Sequence, residues 1–147
     1  MPAPATNLVD PDAVGRAMEH MPYCAALGMK VQSCGDGQAV MTMPYDARLV
    51  GDPDSGVLHG GAVSALMDSC SGLAVMCHPR ASVMTATLDL RIDYMRAATP
   101  GQSLTTTATC YHVTRTIAFV RAVTHDDETD RPVATATGAF TITPVAA

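Results

Sequence analysis

The sequence predicts an α+β domain in which an antiparallel sheet packs against one long helix. Three observations predict it. The stretch Leu58 to about Cys77 is the longest helical candidate and is apolar nearly all round, the mark of a buried helix. Two strand-like runs precede it and four follow, with apolar and polar residues alternating. No second long helix interrupts the last four runs, so they are joined as hairpins and pair antiparallel, and the helix must bury its surface against them.

Residues 1–11 carry three prolines and read as a loose leader, with 12–147 forming one domain. Asp12 is placed to N-cap a short helix that runs toward His20 and is ended by Pro22. Gly28 to Met43 alternates on both sides of Gly35-Asp36-Gly37, which predicts a hairpin. Pro44 to Gly56 is dense in Pro, Gly and Asp and predicts a loop, while His78-Pro79 closes the long helix. The later strands are expected at Val83–Met95, Leu104–Val113, Ile117–Thr124 and Val133–Thr143, all rich in Val, Ile and Thr.

Composition narrows the function classes. The 147 residues are 48% hydrophobic and 16% charged, enough apolar material for one core without disulfides or metal. Net charge is −5 and no Lys/Arg cluster occurs, which removes the phosphate-neutralising footprint of a nucleic-acid binder. Five dispersed cysteines with no C-x-x-C pair, no basic and apolar leader, and no run of ~18 apolar residues predict a reduced, cytoplasmic protein with no membrane span.

Within the helix, Ser64, Asp68 and Ser71 are spaced by four and three and form a thin polar strip, and Asp68 is the only ionisable group besides the cysteine thiols between His59 and His78. A carboxylate in apolar surroundings must be paired, hydrogen-bonded or shifted in pKa, and such groups in clefts are candidate catalysts. A mid-helix Asp also serves to cap a neighbouring loop or to face a solvated groove, and the helix alone does not separate these roles. Gly60-Gly61 at the helix start can expose backbone N–H groups at the positive end of the dipole, where an oxyanion could be held, or can simply relieve crowding. Gly60 and Asp68 are eight residues apart, ~12 Å along one helix. If they cooperate, a second copy must supply one of them, as two antiparallel helices of a two-fold dimer would do.

The segment Gly56-Val57-Leu58-His59-Gly60-Gly61, with Asp68 nine residues after His59, and the segment Leu88-Asp89-Leu90-Arg91-Ile92-Asp93-Tyr94-Met95-Arg96 resemble the PaaI-like branch of the hotdog-fold thioesterases, over roughly residues 17 to 143. The resemblance implies a sheet wrapped around a central helix, assembly as a homodimer or homotetramer with a shared site, and hydrolysis of a small-to-medium or aromatic acyl-CoA without metal or cofactor. It places Asp68 as nucleophile or general base, Gly60 N–H as donor to the thioester carbonyl oxygen, and His59 as a group shaping that site from the opposing subunit. Thr87 falls where relatives carry a hydroxyl that holds the attacking water. Gly61, Ser64 and Ser71 are expected beside the substrate, and Arg91 and Arg96 are candidates for the coenzyme A phosphates, although each Arg also fits a solvated strand face. One departure stands out: six residues before His59, where relatives commonly have Asn, this chain has Pro53 between Asp52 and Asp54. That departure keeps open a non-catalytic acyl-CoA-binding hotdog module. A Cys70 nucleophile lacks a His at helical spacing, and no Asp-x-Asn-Pro-x-His stretch supports a hydratase.

Overall fold

A computed structural model describes residues 10–81 and 84–143. Most of the expected leader lies outside the described residues, but its last two, Asp10 and Pro11, are the N-cap and first residue of the first helix, α1 (Pro11–His20). Asp10, not Asp12, is the N-cap: its carboxylate accepts the Asp12 N–H at 3.0 Å, and Pro11 takes the first helical position, where a missing N–H costs nothing. Pro22 does more than end α1. Met21 is extended at φ −59°, ψ 132°, as a residue before proline prefers, and Pro22 then starts a second short helix, α2 (Pro22–Ala26).

The predicted hairpin forms as β1 (Lys30–Gly35) and β2 (Gln38–Met43). Its two central residues, Asp36 and Gly37, have φ of 51° and 76°, the type I′ geometry that matches strand twist and favours Asp-Gly. The expected loop from Pro44 contains structure of its own: a 3-10 turn at Ala47–Leu49 and a miniature hairpin of β3 (Val50–Asp52) and β4 (Val57–Leu58). Because Val57 and Leu58 pair with β3, the long helix α3 begins at Gly60 and runs to Met76. After it come β5 (Thr85–Tyr94), β6 (Leu104–Val113), β7 (Ile117–His125) and β8 (Ala134–Ile142). Val83, the expected start of β5, lies outside the described residues.

The main sheet has the order β1-β2-β6-β7-β8-β5, antiparallel throughout. Helix α3 packs across one face of the sheet, touching strands from β1 through β5, and carries the chain from the β1-β2 side to β5 at the opposite edge. Leu66, Met67, Cys70, Leu73, Ala74 and Val75 of α3 are fully buried against Met41, Met43, Leu104, Ala108 and Ala118. The polar atoms enclosed there are largely paired: the Thr106 and Thr124 hydroxyls meet at 2.6 Å, and the Cys70 thiol donates to the carbonyls of Ala39 and Thr106. Burial pushes the Cys70 thiol up to about 12, so it is an inert packing group.

Candidate active site

Asp68 lies two turns into α3, half-buried, and its Oδ1 accepts a hydrogen bond from the Thr87 hydroxyl at 2.7 Å. A register shift in β5 makes this contact possible. Thr87 pairs with Phe140 and Asp89 pairs with Ala139, so Leu88 is an extra residue, a β-bulge. Without it, a strand that turns Leu90 and Ile92 toward the core would turn Thr87 away, because side chains alternate. The bulge resets the phase and lets Thr87 face the helix, a frequent use of bulges beside functional sites. Opposite, Gly138 leaves room for the bent strand: a Cβ there would lie 2.7 Å from the Asp89 carbonyl oxygen.

Asp68 and Thr87 open into a cleft of about 300 Å³ whose other walls include Met18, Met21, Met76, Met84, Gly72 and Phe140. Asp68 is the only charged residue among the described residues of that lining.

The N-terminus of α3 is built differently. His59 is the N-cap: its Nδ1 accepts the Gly61 N–H at 2.7 Å, and its carbonyl accepts the Ala62 N–H at 2.9 Å. The Gly60 N–H belongs to neither bond and remains one of the orphan donors of a helix start. The two glycines differ accordingly. A Cβ on Gly61 would sit 2.8 Å from the His59 ring, whereas one on Gly60 would make an ordinary 3.5 Å contact with Tyr94. Gly61 is required by the cap, while nothing among the described residues crowds Gly60. The Tyr94 hydroxyl donates to the Gly60 carbonyl at 3.0 Å, and Gly60, Val63, Tyr94, Met95 and Arg96 share a second cleft of about 360 Å³. Gly51 packs against the His59 backbone, where a Cβ would come within 2.8 Å of Cα.

The remaining candidates separate. Ser64 donates back to the Gly61 carbonyl at 3.0 Å. Ser71 is fully buried and has no hydrogen-bond partner among the described residues. Arg91 is exposed and pairs with Asp93 at 3.1 Å. Arg96 borders the Gly60 cleft, yet its guanidinium is bound to Asp126 through two bonds of 2.6 and 2.8 Å and to the Arg131 carbonyl. At the Pro53 departure, the Asp52 carboxylate accepts from the Asp54 N–H and the Ser55 hydroxyl; those bonds, the Ser55 hydroxyl first, hold it below the usual carboxylate range. Among the described residues, no three His, Cys, Asp or Glu side chains are placed to hold a metal ion. Tyr94, Met18 and Met21 escaped the sequence reading: Tyr94 stands in the quoted strand motif, but its partner lies 34 residues earlier, and no local spacing signals that pairing.

An antiparallel sheet packed against one long central helix is the architecture of the hotdog fold. Residues 55–133 match the family model described as "Thioesterase superfamily", more than half of the sequence, and the chain belongs to that family. It is 28% identical over 123 residues to the medium/long-chain acyl-CoA thioesterase YigI of Escherichia coli K12, covering 74% of this chain and 78% of that protein. It is 34% identical over 97 residues to the acyl-coenzyme A thioesterase PaaI of the same organism, covering 65% and 66%, which bears out the PaaI-like resemblance. A crystal structure of a Pseudomonas aeruginosa protein superposes with a TM-score of 0.79 at 34% identity over 90% of this chain and 98% of the other.

Proposed function

We propose that this protein is an acyl-CoA thioesterase that works as a homodimer or homotetramer in the cytoplasm, with each active site shared between two subunits. The observation that carries the reading is the Thr87-held carboxylate of Asp68 at the head of an apolar cleft. The names of the YigI and PaaI relatives support it. The thioester carbonyl oxygen lies at the Gly60 N–H of one subunit, where the helix dipole and an already oriented donor stabilise developing negative charge. His59 fixes that turn by capping it, and Tyr94 holds the Gly60 carbonyl from the other side.

Asp68 of the partner faces the carbonyl carbon. The Thr87 proton occupies Oδ1, so Oδ2 is the reactive oxygen, and the Thr87 lone pairs accept from the attacking water. In the general-base route, Asp68 takes the water proton, the hydroxide adds to the carbonyl, and collapse of the tetrahedral oxyanion expels the coenzyme A thiolate, which recovers the proton. In the nucleophilic route, Oδ2 itself adds, the thiolate leaves, and water cleaves the resulting anhydride. Ser71 serves packing in this scheme, and Arg96 braces the Gly60 cleft instead of binding phosphate.

The test is thiol release from short, medium, long and aromatic acyl-CoAs by wild type and Asp68→Asn. The expected result is a loss of at least ~10²-fold in kcat in a folded, oligomeric variant. Binding without turnover in both proteins would point to the acyl-CoA-binding module, a reading favoured by the absence of an amide side chain at Asp52-Pro53-Asp54. Equal activity in both would remove Asp68 from its role.

A further inference from the structure

Gly60 has no side chain to restrict its backbone, so the direction of its N–H is set by whatever holds the two peptide units that meet at it. Of the four polar groups on those units, three are bonded. The His59 carbonyl accepts the Ala62 N–H at 2.9 Å, the Gly61 N–H donates to His59 Nδ1 at 2.7 Å, and the Gly60 carbonyl accepts the Tyr94 hydroxyl at 3.0 Å. The fourth group is the Gly60 N–H, which has no hydrogen-bond partner among the described residues.

The three bonds differ in origin. The first two are made within the opening turn of α3 and fray with it, as helix ends do. The third comes from the end of β5, 34 residues away, and ties that turn to the sheet. A carbonyl in the first turn of a helix accepts the N–H four residues on and keeps a second lone pair; the Tyr94 hydroxyl takes it. The ring also lies against Gly60, where a Cβ would sit 3.5 Å from Tyr94 Cε1.

Tyr94 is firmly mounted. It pairs with Ala134 of β8, the Met95 and Arg96 N–H groups both donate to the Val133 carbonyl at 2.8 and 3.3 Å, and the Arg96 guanidinium is locked to Asp126. At 53% exposure, Tyr94 could satisfy its hydroxyl with water; it is turned instead onto the carbonyl beside the donor. A donor that must be in place before charge develops needs support of this kind from a rigid element.

Resting on the reading of Gly60 given above, we propose that Tyr94 is a positioning residue: its hydroxyl holds the Gly60-Gly61 peptide so that the Gly60 N–H stays directed at the thioester carbonyl oxygen, without touching the substrate itself.

The experiment compares wild type, Tyr94→Phe, Gly60→Pro and the double variant by thiol release from hexanoyl-CoA and benzoyl-CoA, with circular-dichroism melts and sedimentation alongside. Tyr94→Phe keeps the ring against Gly60 and removes only the bond. The expected result is a fall of about 10-fold in kcat with KM within about twofold of wild type, at unchanged melting temperature and oligomeric state. In the Gly60→Pro background the same change is expected to cost nothing more, because no donor is left to aim. Isotope-edited infrared spectra of the same two compounds, labelled at the carbonyl carbon and bound to Asp68→Asn, give a readout apart from turnover. The carbonyl stretch is expected to move to lower frequency on binding, and adding Tyr94→Phe should return it most of the way to its position on adding Gly60→Pro.

Four results would each overturn the role of Tyr94 and leave Gly60 as the donor: a Tyr94→Phe enzyme as fast as wild type, an infrared band that ignores the substitution, a loss that multiplies with that of Gly60→Pro, or a loss that accompanies a lower melting temperature or altered assembly. A band that does not shift on binding, or a Gly60→Pro enzyme with full activity, would remove Gly60 as the donor and the role of Tyr94 with it. If wild type turns over neither compound, the thioesterase reading falls and the infrared band alone decides on Tyr94.

Discussion

The two adjacent glycines at the start of α3 make different demands, and substitutions separate them. His59 precedes Gly60 with φ −61° and ψ 137°, a conformation that proline tolerates in its predecessor, and proline is at home at the first helical position. Gly60→Pro therefore removes the proposed oxyanion donor and little else; we expect a folded protein with kcat reduced ~10²-fold or more, measured by thiol release. Gly61→Ala instead drives a methyl into the His59 ring and loses the cap, at about 1 kcal/mol of stability in a urea titration. The sequence showed that Gly-Gly begins the helix and that Asp68 is isolated in an apolar run. It did not show which glycine serves the cap, because the answer depends on where the His59 ring turns.

At the scale of elements, the segment following β5 decides how firmly the Gly60 cleft is shaped. Arg96 and Asp126 form an ion pair in which the Asp126 side chain is fully buried, and Asp126 also accepts from the Thr99 N–H and hydroxyl and from the Glu128 N–H. This clasp ties the end of β5 to the β7–β8 connection. The Arg96 guanidinium, opposed by burial and aided by the Thr99 and Glu128 donors, holds the Asp126 carboxyl well below the usual carboxylate range. Asp126→Asn removes the bidentate partner of Arg96 and leaves it only the more distant Glu128 carboxylate at 4.0 Å, at an expected cost of about 3 kcal/mol at pH 7. Since the folded-state pKa is depressed, the stabilisation is fully present above the unfolded value of about 3.9 and is lost as pH falls from there through the folded value. Urea midpoints at pH 7 and pH 3 should fall further for wild type than for the variant. The strand that carries Arg96 was legible from its alternation; the bulge at Leu88 was not, since it exists only relative to the register of β8.

For the whole molecule, the telling feature is the β5 edge of the sheet. Among the described residues β5 pairs with β8 on one side only, and Met84, Leu88, Tyr94 and Met95 on or beside it are exposed. A long apolar edge strand is a site of pairing with another chain, and if Gly60 and Asp68 act on one carbonyl, as proposed above, their separation along one helix requires a second copy. Leu88→Lys is expected to shift sedimentation from a multiple of 15.3 kDa toward the monomer and to abolish thiol release; a fully active monomer would end the shared-site reading. Mixing unfolded Gly60→Pro and Asp68→Asn chains and refolding them should restore roughly a quarter of wild-type activity, because half of the dimers are mixed and each regains one of two sites. Sites contained within one chain would recover nothing.

Sequence by itself determined the α+β class, the central helix and the isolation of its one carboxylate, because these rest on local periodicity and on the penalty for a charge among apolar residues. It also carried the family, through His59-Gly60-Gly61 and Asp68. Tertiary structure alone decided that Asp10 caps α1, that the Pro44–Leu58 stretch holds a hairpin, that Thr87 reaches Asp68 across a bulge, that Tyr94 holds Gly60, and that Arg96 is committed to Asp126. Each of those outcomes depends on which distant backbone or side chain supplies the partner for a polar group, and that is settled by strand register and helix placement, not by neighbours in the chain.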